Sequence, residues 1–175
     1  GKYPSLKVKR TVHWESFIER DAIVHFEFHP LVISYQEQPS EEFYYNEKGI
    51  QRSCFPDFLL KFASGAELLV EIKPKKKLRS QKLRQRLDLI ARRFAEQGRA
   101  YRVLTDEDIR RQPLFENLKR LRDAQRLRRS DDSVAEANSL FGPHSTQSLG
   151  ELTLVLGDED AVLALVATGT LRMNL

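Results

Sequence analysis

Two short stretches, Pro56-Asp57 and Glu71-Ile72-Lys73, set two carboxylates and an ammonium on segments that are otherwise apolar. A carboxylate pair suits a hard divalent cation such as Mg²⁺, which takes oxygen ligands and keeps part of its water shell. The backbone carbonyl of Ile72 offers one more oxygen. A lysine beside such a pair can steer or polarise a water, or offset charge that develops on a phosphoryl group. The plain alternative is a solvated acid on an edge strand with Lys73 as its surface partner. The flanking runs "FLL" and "LLV" argue against that, because they mark strands inside a sheet, where a charge is costly unless paired or metal-bound.

Those residues need a scaffold that brings them together. "DFLLKF" and "ELLVEIK" read as two strands of a hairpin turned at Ser64-Gly65. Paired in this way, Asp57 and Glu71 approach each other near one end. Glu71 and Lys73 are two apart, so both leave the same face of their strand. Upstream, residues 14–28 read as a helix ended by Pro30, "LVISYQEQP" as a strand, and "EFYYNEKGIQRSCF" as a hairpin with turn residues at Asn46 to Gly49. Downstream, residues 80–97 carry Leu83, Leu87, Ile90, Ala91 and Phe94 on one helical face, with Gly98 as the stop. "AYRVLT" reads as a strand. Thr105 to Asp108 resembles a capping box that opens a helix running toward Pro113.

From Leu114 the composition turns to helix formers with basic runs, broken by polar loops at 130–133 and 142–148. The last stretch reads as short helices around a turn with a closing strand, compatible with a small winged-helix or helix-turn-helix unit. The apolar stripe Val162, Leu163, Leu165 and Val166 reads as core. We therefore divide the chain into residues 1–112 and a helical region, 113–175.

The 175 residues suit one ordinary core, or one domain with an appendage. The net charge is +4, and its placement matters more than its size. Lys75, Lys76, Lys77 and Arg79 follow the catalytic candidates directly, and the next helix adds Lys82, Arg86 and Arg93. Such a run is most often a solvated face; beside a site that could act on a phosphoryl group it becomes a candidate for phosphate contacts that weaken with salt. The one cysteine, Cys54, excludes an intrachain disulfide and reads as a packed residue rather than a nucleophile. The four histidines lack metal-ligand spacing. Trp14, Tyr44 and Tyr45 read as core or hairpin-face residues. No signal-peptide pattern and no bilayer-length apolar run is present, so the expected location is the cytoplasm. Gly1 in place of Met points to a fragment.

Pro56-Asp57 followed by Glu71-Ile72-Lys73 reproduces the PD-(D/E)xK signature of restriction-endonuclease-like nucleases. Its setting sharpens the likeness: Glu15-Ser16 and Glu19 on a first helix, "YQEQP", "FPDFLL", "EIKP" with basic residues after it, a long helix, then "LTDEDI". From Trp14 to Ile109 this resembles the catalytic domain of TnsA-type transposon-end endonucleases. The resemblance implies a mixed β-sheet flanked by helices and hydrolysis of double-stranded DNA at the 5′ ends of a mobile element. It implies Mg²⁺, with Mn²⁺ as a substitute, held by Asp57, Glu71, the Ile72 carbonyl and Glu19, with Lys73 assisting the nucleophile. Glu15 competes with Glu19 as the helix acid. Glu71 stands where some members carry glutamine. A DDE-type transposase and an AAA+ regulator are the implied partners. A stand-alone restriction, repair or junction-resolving nuclease of the same fold, and a catalytically silent DNA-binding scaffold, are the alternatives.

Overall fold

The computed structural model describes residues 1–125, 148–169 and 171. The chain divides into two compact units, Gly1–Arg111 and Gln112–Leu175. In the first, four strands form one sheet in the order β3-β6-β7-β8, with β3 Val32–Glu37, β6 Phe58–Phe62, β7 Glu67–Ile72 and β8 Ala100–Leu104. β6 runs antiparallel to both β3 and β7, whereas β8 runs parallel to β7. A parallel neighbour needs a long crossover. Here a 3₁₀ turn, Lys75–Arg79, and helix α2, Gln81–Glu96, supply it.

The strands bury side chains on both faces. On one, Phe58 packs its ring against Phe26 of helix α1, Phe17–Phe28, at 5.3 Å, and Tyr35 joins them at 5.8 Å. On the other, Leu69 packs with Ile90 and Phe94 of α2 and with Tyr44 and Cys54 of a separate hairpin, β4 Glu42–Tyr45 and β5 Gln51–Cys54. A bidentate pair from Arg99 to Glu42, at 2.8 and 2.9 Å, ties β4 to the start of β8.

α1 begins three residues later than the sequence reading placed it. Ser16 is its N-cap, accepting from the Glu19 amide, and Trp14 belongs instead to the extension of an unforeseen hairpin, β1 Lys2–Ser5 and β2 Arg10–His13. Ser80 caps α2 in the same manner, and Gly98 follows its end at φ 69°, in the left-handed region. The capping box at Thr105 is present, but the helix it opens, α3, spans only Asp106–Ile109. It stops short of Pro113 because the Ile109 carbonyl bonds the His25 imidazole at 2.5 Å, and Arg110 leaves the helical path to reach Asp21.

The second unit contains α4 Leu114–Ala124, α5 Leu149–Leu156 and α6 Glu159–Ala167. Phe115, Leu118 and Leu121 of α4 are buried with Val162, Leu163 and Leu165 of α6, so three of the four residues of the predicted apolar stripe are core and Val166 is half-buried. Arg120 pairs with Glu159. Among the described residues this unit is helical, with no strand to form a wing. The expected closing strand and the loops at 130–133 and 142–147 lie outside the described residues. No helix among the described residues is long and apolar enough to cross a membrane.

Candidate active site

The β6–β7 ladder ends at the pair Phe58 and Val70. One step further along the same register, Asp57 faces Glu71. At this fraying end the Asp57 carboxylate takes over the role of a strand partner: its Oδ2 accepts the Ile72 amide at 2.5 Å. The pleat sends Phe58 and Val70 into the α1 face, so Asp57, Glu71 and Lys73 emerge on the face shared with Leu69.

Three oxygens meet on the Lys73 ammonium. Its Nζ lies 2.6 Å from Glu71 Oε1, 3.0 Å from the Ile72 carbonyl and 3.4 Å from Asp57 Oδ2. The side chains are mostly withdrawn from solvent, at 25% exposure for Lys73, 20% for Asp57 and 13% for Glu71. Burial, and next the charge of Glu71, push the Asp57 carboxyl up to about 6, against the opposing pull of Lys73 and the Ile72 amide; Glu19 adds to the rise. Burial alone would lower the Lys73 ammonium, but Glu71 first and then Asp57 overcome it and raise its pKa, so the group stays charged at neutral pH. The ammonium thus sits among three hard oxygen donors.

Glu19 does not close the ring. Its carboxylate folds back over the start of α1, accepting from Ser16 Oγ at 2.7 Å and the Glu15 amide at 2.8 Å. Among the described residues, no three His, Cys, Asp or Glu side chains gather as a ligand cluster. Glu15 is engaged separately, accepting from Gln38 Nε2 at 2.9 Å.

Gln38 is the residue that sequence reasoning missed. Its amide donates to the Asp57 carbonyl at 2.9 Å, and its φ is 40°, a left-handed backbone on a residue directly before a proline. Steric conflict with the following ring disfavours helical conformations at such a position, so Gln38 is strained while it fixes the backbone of Asp57. The signal was the Gln-Pro step that ends "YQEQP". Cys54 is buried, and burial pushes its thiol up to about 11, which suits packing and not nucleophilic attack.

The basic candidates separate into two groups. Lys75, Lys76, Lys77 and Arg79 lie exposed on the 3₁₀ turn, where Lys75 pairs with Glu107 at 3.4 Å and its amide donates to Asp106. Lys82 and Arg86 project from the first turns of α2 and are exposed.

A mixed sheet flanked by helices, with a P-D and an E-x-K step joined at one end of an inner hairpin, is compatible with a restriction-endonuclease-like fold. Residues 29–106 match the family of TnsA-like endonuclease N-terminal domains, and that match supports a TnsA-type endonuclease. The matched stretch holds Asp57, Glu71, Ile72 and Lys73 and begins after Glu15 and Glu19. No curated protein matches the chain.

Proposed function

We propose that this chain is a metal-dependent DNA endonuclease subunit of a transposition machinery, hydrolysing phosphodiester bonds at the 5′ ends of a mobile element. The observation that carries the reading is the Lys73 ammonium held among the oxygens of Asp57, Glu71 and Ile72 inside the family-matched stretch.

That donor set fits a hard divalent ion. Two carboxylates and a carbonyl already surround one positive charge, and Mg²⁺ or Mn²⁺ prefers the same oxygens. Asp57, Glu71 and the Ile72 carbonyl would hold it. When bound, such an ion offsets charge developing on the phosphoryl oxygens and lowers the pKa of an attacking water. Lys73 keeps its proton at Nζ, so its contribution is electrostatic: it attracts the scissile phosphate and stabilises charge near the attacking oxygen, and it does not act as the base. Gln38 and the Ile72 amide fix Asp57 before substrate arrives. Glu19 bears on Asp57 by charge from the start of α1, and its shift from Ser16 toward the carboxylates would let it orient water or help hold a second ion. The 3₁₀ turn and α2 present cations for the DNA backbone. The helical second unit is the proposed attachment point for a DDE-type transposase and an AAA+ regulator.

The test is nicking of supercoiled plasmid in Mg²⁺ or Mn²⁺, by the full chain alone and with its neighbouring transposition proteins. Asp57→Ala and Lys73→Ala should each stay folded and leave the plasmid intact. Undiminished nicking by either purified variant would refute the assignment.

A further inference from the structure

The β4–β5 hairpin and the opening turns of α2 enclose a cleft of about 590 Å³. Four cations line it: Lys48 at the hairpin turn, Arg52 on β5, and Lys82 and Arg86 on α2; Glu47 is the one acid on its wall. Among the described residues, none of the four cations is in an ion pair. Some arginines elsewhere in this unit are neutralised, as Arg10 is by Glu37, Arg99 by Glu42 and Arg110 by Asp21. The first turn of α2, which helices usually furnish with an acid, has none, so the positive end of its dipole adds to the same field.

The walls are already fixed. Tyr44 and Cys54 of the hairpin pack against Ile90 and Phe94 of α2, so binding in the cleft orders little that is not ordered beforehand. Tyr44, on the cleft wall, packs in the same cluster as Leu69, which shares its sheet face with Glu71.

We propose that this cleft is a track for the phosphate backbone of duplex DNA, holding the segment that flanks the scissile bond, with Lys48 and Arg52 as contacts beyond Lys82 and Arg86. The proposal rests on the nuclease reading and extends it to the β4–β5 hairpin, which that reading does not use. Phosphates fit because the cleft offers several unneutralised cations and few acids. Such contacts position the duplex without reading its sequence.

The test is fluorescence anisotropy of a mixed-sequence duplex with the full chain, over a series of salt concentrations without divalent ions. The Lys48→Gln/Arg52→Gln and Lys82→Gln/Arg86→Gln variants should each bind more weakly on every sequence. Each should flatten the slope of log affinity against log salt by about two units, near 0.9 for each lost phosphate contact. The conservative pair Lys48→Arg/Arg52→Lys should restore the wild-type slope. Slopes unchanged in both Gln variants overturn the cleft assignment, whatever the cutting result. A wild-type chain that shows these slopes yet cuts nothing, alone or with its partners, leaves the cleft standing and strikes the nuclease reading alone.

Discussion

Glu27 and Asp57 are both withdrawn carboxylates in the first unit, and their surroundings are opposite. Glu27 is buried and fully engaged: Ser5 Oγ and Tyr35 OH donate to one oxygen at 2.6 Å each, and the Leu6 and Lys7 amides donate to the other at 2.9 Å. It thereby fastens the β1–β2 turn, α1 and β3 together. Asp57 has one amide and a longer contact to an ammonium that Glu71 holds more closely, too little to offset burial and the charge of Glu71, so its pKa rises. A carboxylate surrounded by donors is a fastening. One left short of donors beside a second acid retains an attraction for a further cation, and that attraction is what a catalytic site uses.

The contrast can be broken most forcefully by removing either member of the cation site. Asp57→Ala or Lys73→Ala should lower DNA cutting by on the order of 10³-fold or more, with the thermal midpoint little changed. Glu27→Ala should do the reverse. Two buried hydroxyls and two part-buried amides lose their acceptor, a loss of about 3 kcal/mol of stability by denaturant unfolding, while cutting per folded molecule is kept. A Glu27 variant that folds normally but cuts poorly would erase the distinction between the two stations.

A pH series sharpens it further. Because the folded-state pKa of Asp57 is raised, to about 6, its protonated form stabilises the fold. That contribution is complete below about pH 4 and is lost as pH rises through 6, so Asp57→Asn should gain on the wild type over this window, by on the order of 2 kcal/mol. Glu37 has the opposite sign: burial opposes ionisation, yet the Arg10 guanidinium and the His13 amide hold it down to about 2. Its contribution is present above about pH 4.5 and fades as pH falls toward 2. A constant difference between the wild type and Asp57→Asn from pH 4 to 7 would remove the claim of a frustrated acid.

The smallest expected effect is at the helix start. Ser16→Ala removes the N-cap and should cost about 1 kcal/mol. In doing so it removes one of the two bonds that hold the Glu19 carboxylate back, leaving that from the Glu15 amide. Comparing cutting by Ser16→Ala, Glu19→Gln and Glu15→Gln then identifies the helix acid, since only the variant of the working acid should lose activity beyond its loss of stability.

The central hairpin, the β4–β5 hairpin, α2 and its caps could be read from the chain because each is specified locally, by alternation, turn residues and serine or glycine at the ends. The Asp57–Glu71–Lys73 meeting was legible for the same reason: a hairpin register is set by its turn. What escaped the reading depends on distant partners. The β1–β2 hairpin is held by Glu27, some twenty residues away, and α3 is cut short by His25 and Asp21 of α1. The retraction of Glu19 onto Ser16 is local, yet a capping interaction and a metal ligand call for the same residue type, so the sequence pattern does not separate them. Lys48 and Arg52 carried no charge-run signal and join Lys82 and Arg86 only through the packing of hairpin on helix.

The central claim is that Asp57, Glu71 and the Ile72 carbonyl form a cation site which the Lys73 ammonium fills in the free protein. Titration of the full chain with Mn²⁺, followed by electron paramagnetic resonance, tests it without requiring any cutting. The account predicts a bound ion for the wild type that is lost in Asp57→Ala and retained more tightly in Lys73→Met. Equal Mn²⁺ binding by the wild type and Asp57→Ala would contradict it.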